Sequence, residues 1–391
     1  MRKERNIMKT KCKQAVDKNL QWFCSSGVMV PENGLWGVAE RLAVKSGNAA
    51  LDEILESFPA WTEKSDCYVI EQRRADCNFQ AAWLFLLADR IFPGCGYGET
   101  GKNILDFLYC RSGLLERKKS ADIPGNWNWS HIKRDSVVYF DDEAWCIFIQ
   151  LRIADEFPEL DKRHNMRFWA ETLAESLYAG ATDPDKTPLW RGELAKPHWG
   201  ALAAMALAQS GGKNMDKYRK FCLEYFRNAD IPNVSEYAYA LLGAVNCMLK
   251  FGREDFLPLV EKYVDAIISV CDPASGLPPS EHSRETPAGK NLADLIYTVN
   301  WAVAGLREAG AVLGGKSAVA AGKILDFLHS IQDDSANKTF NGCWRGMYDT
   351  QSGQWGGGDR FEGGGNSIYT GWTNAPIALT MLFEYMGKSM F

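Results

Sequence analysis

The chain has 391 residues and a formal net charge of −5, with 46% hydrophobic and 24% charged residues, the composition of a globular protein with a large core. So small a charge, with no basic cluster, gives no electrostatic footing for nucleic acid or an anionic membrane surface. No stretch approaches the ~20 apolar residues that span a bilayer.

The basic N-terminus, MRKERNIMKTKCK, is not followed by the apolar run of a secretory signal. Eleven cysteines, an odd number without CxxC or CxxxC spacing, include Cys146, Cys222 and Cys247 inside apolar stretches, where a reduced thiol behaves as a small hydrophobe. A cytoplasmic location is expected, or a periplasmic one where a leader has been cleaved.

Along the chain six segments share one character, apolar on almost every side: Cys77–Ile91, Asp142–Phe157, Pro197–Ser210, Ser235–Phe251, Asn291–Ala309 and Thr370–Gly387. A helix of that kind must be buried all round. Asp142, Pro197 and Ser235 suit helix starts. Between them lie helices with a single apolar stripe, such as Met166, Trp169, Leu173 and Leu177, or Met215, Tyr218, Cys222 and Tyr225, or Phe256, Val260, Tyr263 and Ile267.

The alternation predicts an all-α (α/α)6 toroid spanning residues 1–391 as one domain, an inner ring of parallel helices wrapped by an outer one. The last inner helix takes its outer partner from the N-terminal stretch Met8–Cys24. An open α-solenoid is the alternative, but solenoid repeats keep near-constant length, and these segments are separated unevenly by long loops. Strand signals are weak; Ser136–Phe140 and Thr339–Asp349 read as small hairpins in the loops.

Parallel inner helices bring all the long loops to one end of the ring. Those loops are Glu71–Asp76, Gly125–Asp142, Leu189–Trp199, Ser280–Asn291 and Asn341–Trp372. They carry Trp127, Trp129, Trp190, Trp199, Trp344, Trp355 and Trp372 among polar residues, the mixture of flat aromatics and oriented polar groups that holds a sugar. An oligosaccharide or small sugar is the expected ligand; oligomeric state is left open.

Tyr139-Phe140-Asp141-Asp142-Glu143 is the sharpest catalytic candidate. Asp142 reads as a helix cap, and a second adjacent acid pushes one carboxyl toward the pKa of a general acid. Asp141 or Asp142 is the expected acid, with a carboxyl partner from Glu193, Glu236, Asp359 or Glu362. Arg191, Arg345 and Arg360 are forks suited to a uronate carboxylate. The five histidines never pair at metal-ligand spacing, so no metal is expected. His131, His198 and His282 fall in pocket-side loops and could move a proton. The tract Gly356–Gly365 lacks the pattern of a phosphate loop, and no cofactor is expected.

Three features together resemble the six-hairpin glycosidase superfamily: the aromatic-Asp-Asp start of an inner helix at Tyr139–Asp142, the PHWGALAAMALA helix, and the terminal WGGGDRFEGGG…YTGWTNAPI tract. Within it the chain is similar to bacterial hydrolases of uronic-acid-containing glycans, of the unsaturated glucuronyl, rhamnogalacturonyl and exo-β-glucuronidase kinds. The resemblance implies an (α/α)6 fold, a pocket at the loop end, no obligatory metal and an Asp general acid at an inner-helix start. Removal of a terminal, acidic sugar is therefore expected. The rivals are an epimerase or lyase on the same ring, with His131, His198 or His282 moving a proton, and a non-catalytic glycan-binding toroid.

Overall fold

The computed structural model describes residues 2–132, 137–281, 288–357 and 364–391. Its first helices are α1 (Arg2–Ser25), α2 (Leu51–Ser57), α3 (Ala75–Asp89), α4 (Tyr97–Asp106), α5 (Phe140–Glu156), α6 (Pro158–His164) and α7 (Met166–Thr182). There follow α8 (Pro197–Ser210), α9 (Met215–Asn228), α10 (Val234–Phe251), α11 (Arg253–Val270), α12 (Val299–Leu313), α13 (Gly315–Ile331) and α14 (Ala375–Met386).

Six of these close an inner ring. Helix α3 packs on α5, α5 on α8, α8 on α10, α10 on α12, α12 on α14, and α14 returns to α3. Around them α4 lies on α3, α7 on α5, α9 on α8, α11 on α10, α13 on α12 and α1 on α14. The protein is an all-α (α/α)6 toroid. The inner helices are buried because they have neighbours on every side: each residue of α3 except Asp89 is buried. The outer helices bury one stripe, in α11 Phe256, Val260, Tyr263, Val264 and Ile267. In α9 that stripe is Tyr218, Cys222 and Phe226, with Met215 at the surface rather than beneath it.

Three local expectations change. The inner helix expected from Asn291 begins only at Val299; the residues before it include a strand. Helix α5 begins at Phe140, so Asp142 lies within its first turn and does not cap it. The strands are more numerous than their weak patterning suggests, because they pair between loops distant in sequence. Strands β1 (Arg41–Val44), β2 (Trp61–Glu63) and β3 (Cys67–Ile70) join β9 (Ser367–Tyr369) in the order β2-β3-β1-β9. Strands β4 (Val138–Tyr139) and β5 (Trp190–Arg191) pair in parallel, and β6 (Leu292–Asp294), β7 (Met347–Asp349) and β8 (Gln354–Trp355) form a third small sheet. These sheets sit at the end of the ring where the inner helices start.

None of the cysteines is disulfide-bonded. Among the described residues no helix is long and apolar enough to cross a membrane.

Candidate active site

Parallel inner helices set their N-termini side by side, and each N-terminus carries unpaired N–H groups and a partial positive charge. Acids gather there for that reason: Asp76 in the first turn of α3, Asp141, Asp142 and Glu143 in that of α5, Glu236 in that of α10. All five are buried.

Arg74, the residue before α3, is the hub. Its guanidinium meets Glu40 at 3.3 Å, Asp76 at 3.2 Å and Asp142 at 2.5 Å. One nitrogen, Nη2, serves both Asp76 and Asp142, so those two carboxyls face each other across it. The guanidinium also lies 5.6 Å from the ring centre of Trp129 and 5.9 Å from that of Trp372. Burial works against the charge on Arg74, but Asp142, Asp76 and Glu40 outweigh it and hold its pKa above the usual arginine value.

One arginine cannot neutralise so many acids. Burial drives Asp142 well above the ordinary carboxylate range, against the pull of Arg74, with Asp76, Asp141 and Glu143 pushing the same way. Burial also raises Glu143, although it accepts the Trp127 N–H at 2.9 Å. Burial and mutual repulsion thus both work against full ionisation of Asp142 and Glu143.

Asp141 faces the other way, its carboxyl 3.0 Å from His198 Nε2. Its second oxygen, Oδ1, is buried without a hydrogen-bond partner among the described residues. His198 is the second residue of α8, after Pro197 at the first position. Its backbone N–H, one of the orphan donors of that helix start, is taken by Glu236 Oε2 at 2.7 Å. The imidazole is parallel to the rings of Trp199, 4.6 Å away, and Tyr239, 4.7 Å away. Tyr297 and Trp372 approach at 5.8 and 5.6 Å. So many ring contacts fix the plane of the imidazole and leave its Nε2 edge toward Asp141.

Trp372 is placed by a close approach. It follows Gly371, where a Cβ would lie 2.6 Å from the Cα of Cys77. Only glycine lets the turn before α14 come this near to α3. The indole N–H of Trp372 then donates to Asp76 Oδ2 at 2.7 Å.

Of the residues singled out in the sequence, Asp141, Asp142, His198, Trp129, Trp199 and Trp372 meet in this one region. Others are placed elsewhere. Trp127 is buried edge-on against Phe79 and Tyr109. Trp190 stacks on Phe140, and Trp344 is enclosed, donating to the Leu328 carbonyl at 2.7 Å. Trp355 packs edge-on against Tyr348 in the third sheet. Arg191 and Glu193 are exposed, with Glu193 paired to Lys196 at 2.8 Å. Arg345 is paired with Asp333 at 3.3 Å and lies over Phe340. His131 accepts the Arg73 N–H at 3.0 Å, and burial lowers its pKa to about 4, so it is neutral at physiological pH. His282, Asp359, Arg360 and Glu362 lie outside the described residues.

Arg74, Asp76, Glu40, Tyr239 and Tyr297 were not singled out. For Arg74 and Asp76 a signal was present: a charged pair directly before an all-round apolar helix can enter a core only if paired. For Glu40, before a short strand, there was none. No group of three or more His, Cys, Asp or Glu among the described residues is arranged to hold a metal ion.

No protein-family model and no curated protein matches this sequence. Among solved structures the chain is similar to a sugar epimerase from a ruminal bacterium, 12% identical over 97% of this chain and 99% of that one, with a TM-score of 0.65. It is similar to cellobiose 2-epimerase from Spirochaeta thermophila, 13% identical over 99% and 98%, with a TM-score of 0.64. An inactive α-1,6-mannanase variant from a Salegentibacter species, with asparagine at two consecutive aspartates and α-1,6-mannotriose bound, matches at 11% identity over 96% and 98%, with a TM-score of 0.50. Identities this low establish the shared toroid and nothing finer.

Proposed function

We propose that the chain is a carbohydrate-active enzyme, a glycoside hydrolase that removes the terminal sugar of an oligosaccharide. One observation carries the reading: two consecutive buried acids in the first turn of an inner helix reach different partners at the ring mouth, Asp141 toward His198 and Asp142 toward Arg74. The mannanase among the structural neighbours is inactive with two consecutive aspartates replaced, which supports giving the adjacent pair the central role.

Asp142, whose pKa burial raises against the pull of Arg74, is the acid that donates a proton to the leaving oxygen. Asp141, its carboxyl 3.0 Å from His198 Nε2, takes the proton of the attacking water, or attacks the sugar carbon itself. Trp129, Trp199 and Tyr297, each partly exposed, offer ring faces to the sugar.

The expectation of an acidic sugar rested on the family resemblance and on three arginines. Arg191 is exposed, Arg345 is occupied by Asp333, and Arg360 lies outside the described residues. Arg74 already faces three acidic side chains. Acids outnumber bases in the described mouth, so we take the terminal sugar to be uncharged. The test is release of reducing sugar from a panel of neutral and uronate oligosaccharides by the wild type, Asp141→Asn and Asp142→Asn. Turnover that survives both substitutions would sink the assignment.

A second reading has its own observation. The fixed imidazole of His198, backed by Asp141, is also the arrangement of a base that moves a carbon-bound proton, as epimerisation requires. Deuterium entering the sugar from heavy water, with no cleavage, would select it over hydrolysis.

A further inference from the structure

Asp294, the last residue of β6, is a buried acid that the proposed proton transfers do not use. Both of its oxygens are spent on the turn that follows. Oδ1 accepts the N–H groups of Ile296 at 2.9 Å and Tyr297 at 3.1 Å, and Oδ2 accepts the Thr298 hydroxyl at 3.2 Å. An aspartate bonded to backbone two and three residues on stands in for the hydrogen bonds of a regular turn. Such bonds are also what make a buried carboxyl tolerable. The side chain that this turn brings to the mouth, partly exposed, is Tyr297.

The backbone of Tyr297 is tied on its other side as well. Its carbonyl accepts from Ser235 Oγ at 2.7 Å, in the first turn of α10. The next residue of that turn, Glu236, holds the backbone N–H of His198 at 2.7 Å. Adjacent residues of one inner helix thus grip both Tyr297 and His198, whose rings lie 5.8 Å apart at 58°. Asn300, buried at the second position of α12, completes the frame. Its Nδ2 donates to the Ile296 carbonyl at 2.9 Å and to the Trp372 carbonyl at 2.6 Å. It joins the turn of Tyr297 to that of Trp372, whose ring is 6.2 Å from the tyrosine.

We propose that Asp294 is a positioning residue for substrate binding: with Ser235 it fixes Tyr297 as a ring on which the terminal sugar rests beside His198. The inference rests on the carbohydrate reading above and adds to it the residue that orders one of the sugar-facing rings. Asp294 acts through Tyr297 and does not itself touch the sugar. An aromatic face contributes fully to binding only if its place is set beforehand, because ordering a loose turn is drawn from the binding energy. Loss of the tie therefore weakens binding and leaves Asp141 and Asp142 in place for the chemistry.

A double-mutant cycle on the full chain tests this, with kcat and KM measured for release of monosaccharide from α-1,6-mannotriose and from cellobiose. Asp294→Ala and Tyr297→Ala should each raise KM about tenfold and change kcat by less than about threefold. Combined, they should raise KM no further than Tyr297→Ala alone, since the one acts through the other. Asp294→Asn, which keeps an oxygen for the two N–H groups, should hold KM within about twofold of the wild type. If thermal melts show that Asp294→Ala does not fold, Ser235→Ala removes the tie on the other side of Tyr297 and runs the same cycle. Additive effects on KM, a loss confined to kcat, or an Asp294→Asn enzyme as weak as Asp294→Ala would overturn the positioning role while leaving the mouth as a sugar site. If the wild type cleaves neither sugar, the hydrolase reading falls and this inference with it.

Discussion

The two ends of the ring each hold a buried arginine among acids, and they use it differently. At the mouth Arg74 faces Glu40, Asp76 and Asp142, while Asp141 Oδ1 has no hydrogen-bond partner among the described residues. At the far end Arg307 bonds Glu308, Glu384 at 3.2 Å and the Lys388 carbonyl at 2.6 Å. There Glu308 Oε1 accepts from the Met390 N–H at 3.1 Å as well as from Arg307, and Oε2 accepts from Ser389 Oγ at 2.6 Å. Phe391 then packs edge-on against Phe148 on α5. One network is complete and closes the ring; the other is left with excess acid and an open oxygen. A filled network resembles structure, and an underfilled one resembles chemistry.

The largest effects should separate the two. Asp141→Asn and Asp142→Asn should each lower kcat by about 10³-fold with little change in melting temperature, because each removes a charge or a proton and keeps the shape. At the far end Arg307→Met should leave kcat within about twofold and destabilise the fold by about 3 kcal/mol, since it strands buried acids. Urea titrations and kcat measured on the same variants give both axes. An Arg307→Met enzyme that is stable but slow would show that the far end takes part in turnover, and the contrast would be lost.

How much of this contrast could be read from the sequence depends on range. The ring was legible, because burial on all sides leaves an apolar run such as Cys77–Ile91 and outer helices leave stripes. The closure by the N-terminal helix was legible too, and α1 does pack on α14. Asp141, Asp142 and His198 stood out as polar residues at helix starts. Arg74 did not, because its role comes from Asp142, 68 positions away. Loop composition also overstated the tryptophans. Trp127, Trp190 and Trp344 sit in polar loops by sequence, but the loops fold back, so those rings serve the core.

Glu143 gives a smaller effect that sharpens the mouth. Burial raises its pKa, so between the ordinary glutamate value and the raised one the folded state holds a proton that the unfolded state releases. Its contribution to stability is therefore present below the ordinary value and lost as pH rises through the raised one. Glu143→Gln removes that loss and keeps an oxygen for the Trp127 N–H. The urea midpoint of the variant should fall less between about pH 5 and about pH 8 than that of the wild type. Equal falls would mean that Glu143 is ionised at little cost and that the mouth is better solvated than its burial implies.

The smallest effect marks the boundary between the two ends. Gln80 lies one turn below Asp76 on α3, and neither atom of its side-chain amide has a hydrogen-bond partner among the described residues. It lines a cavity of about 10 Å³ in the ring axis with Trp145, Trp301 and Met390, enough for a single water. A buried amide without partners costs about 1–3 kcal/mol, and methionine has similar length without that cost. Gln80→Met should thus change stability by less than about 1 kcal/mol, in the stabilising direction, with kcat unaltered. A fall in kcat at unchanged stability would extend the chemistry of the mouth one helical turn into the lumen. Destabilisation above about 1 kcal/mol would instead show that the amide is satisfied through water, as part of the packing that closes the far end.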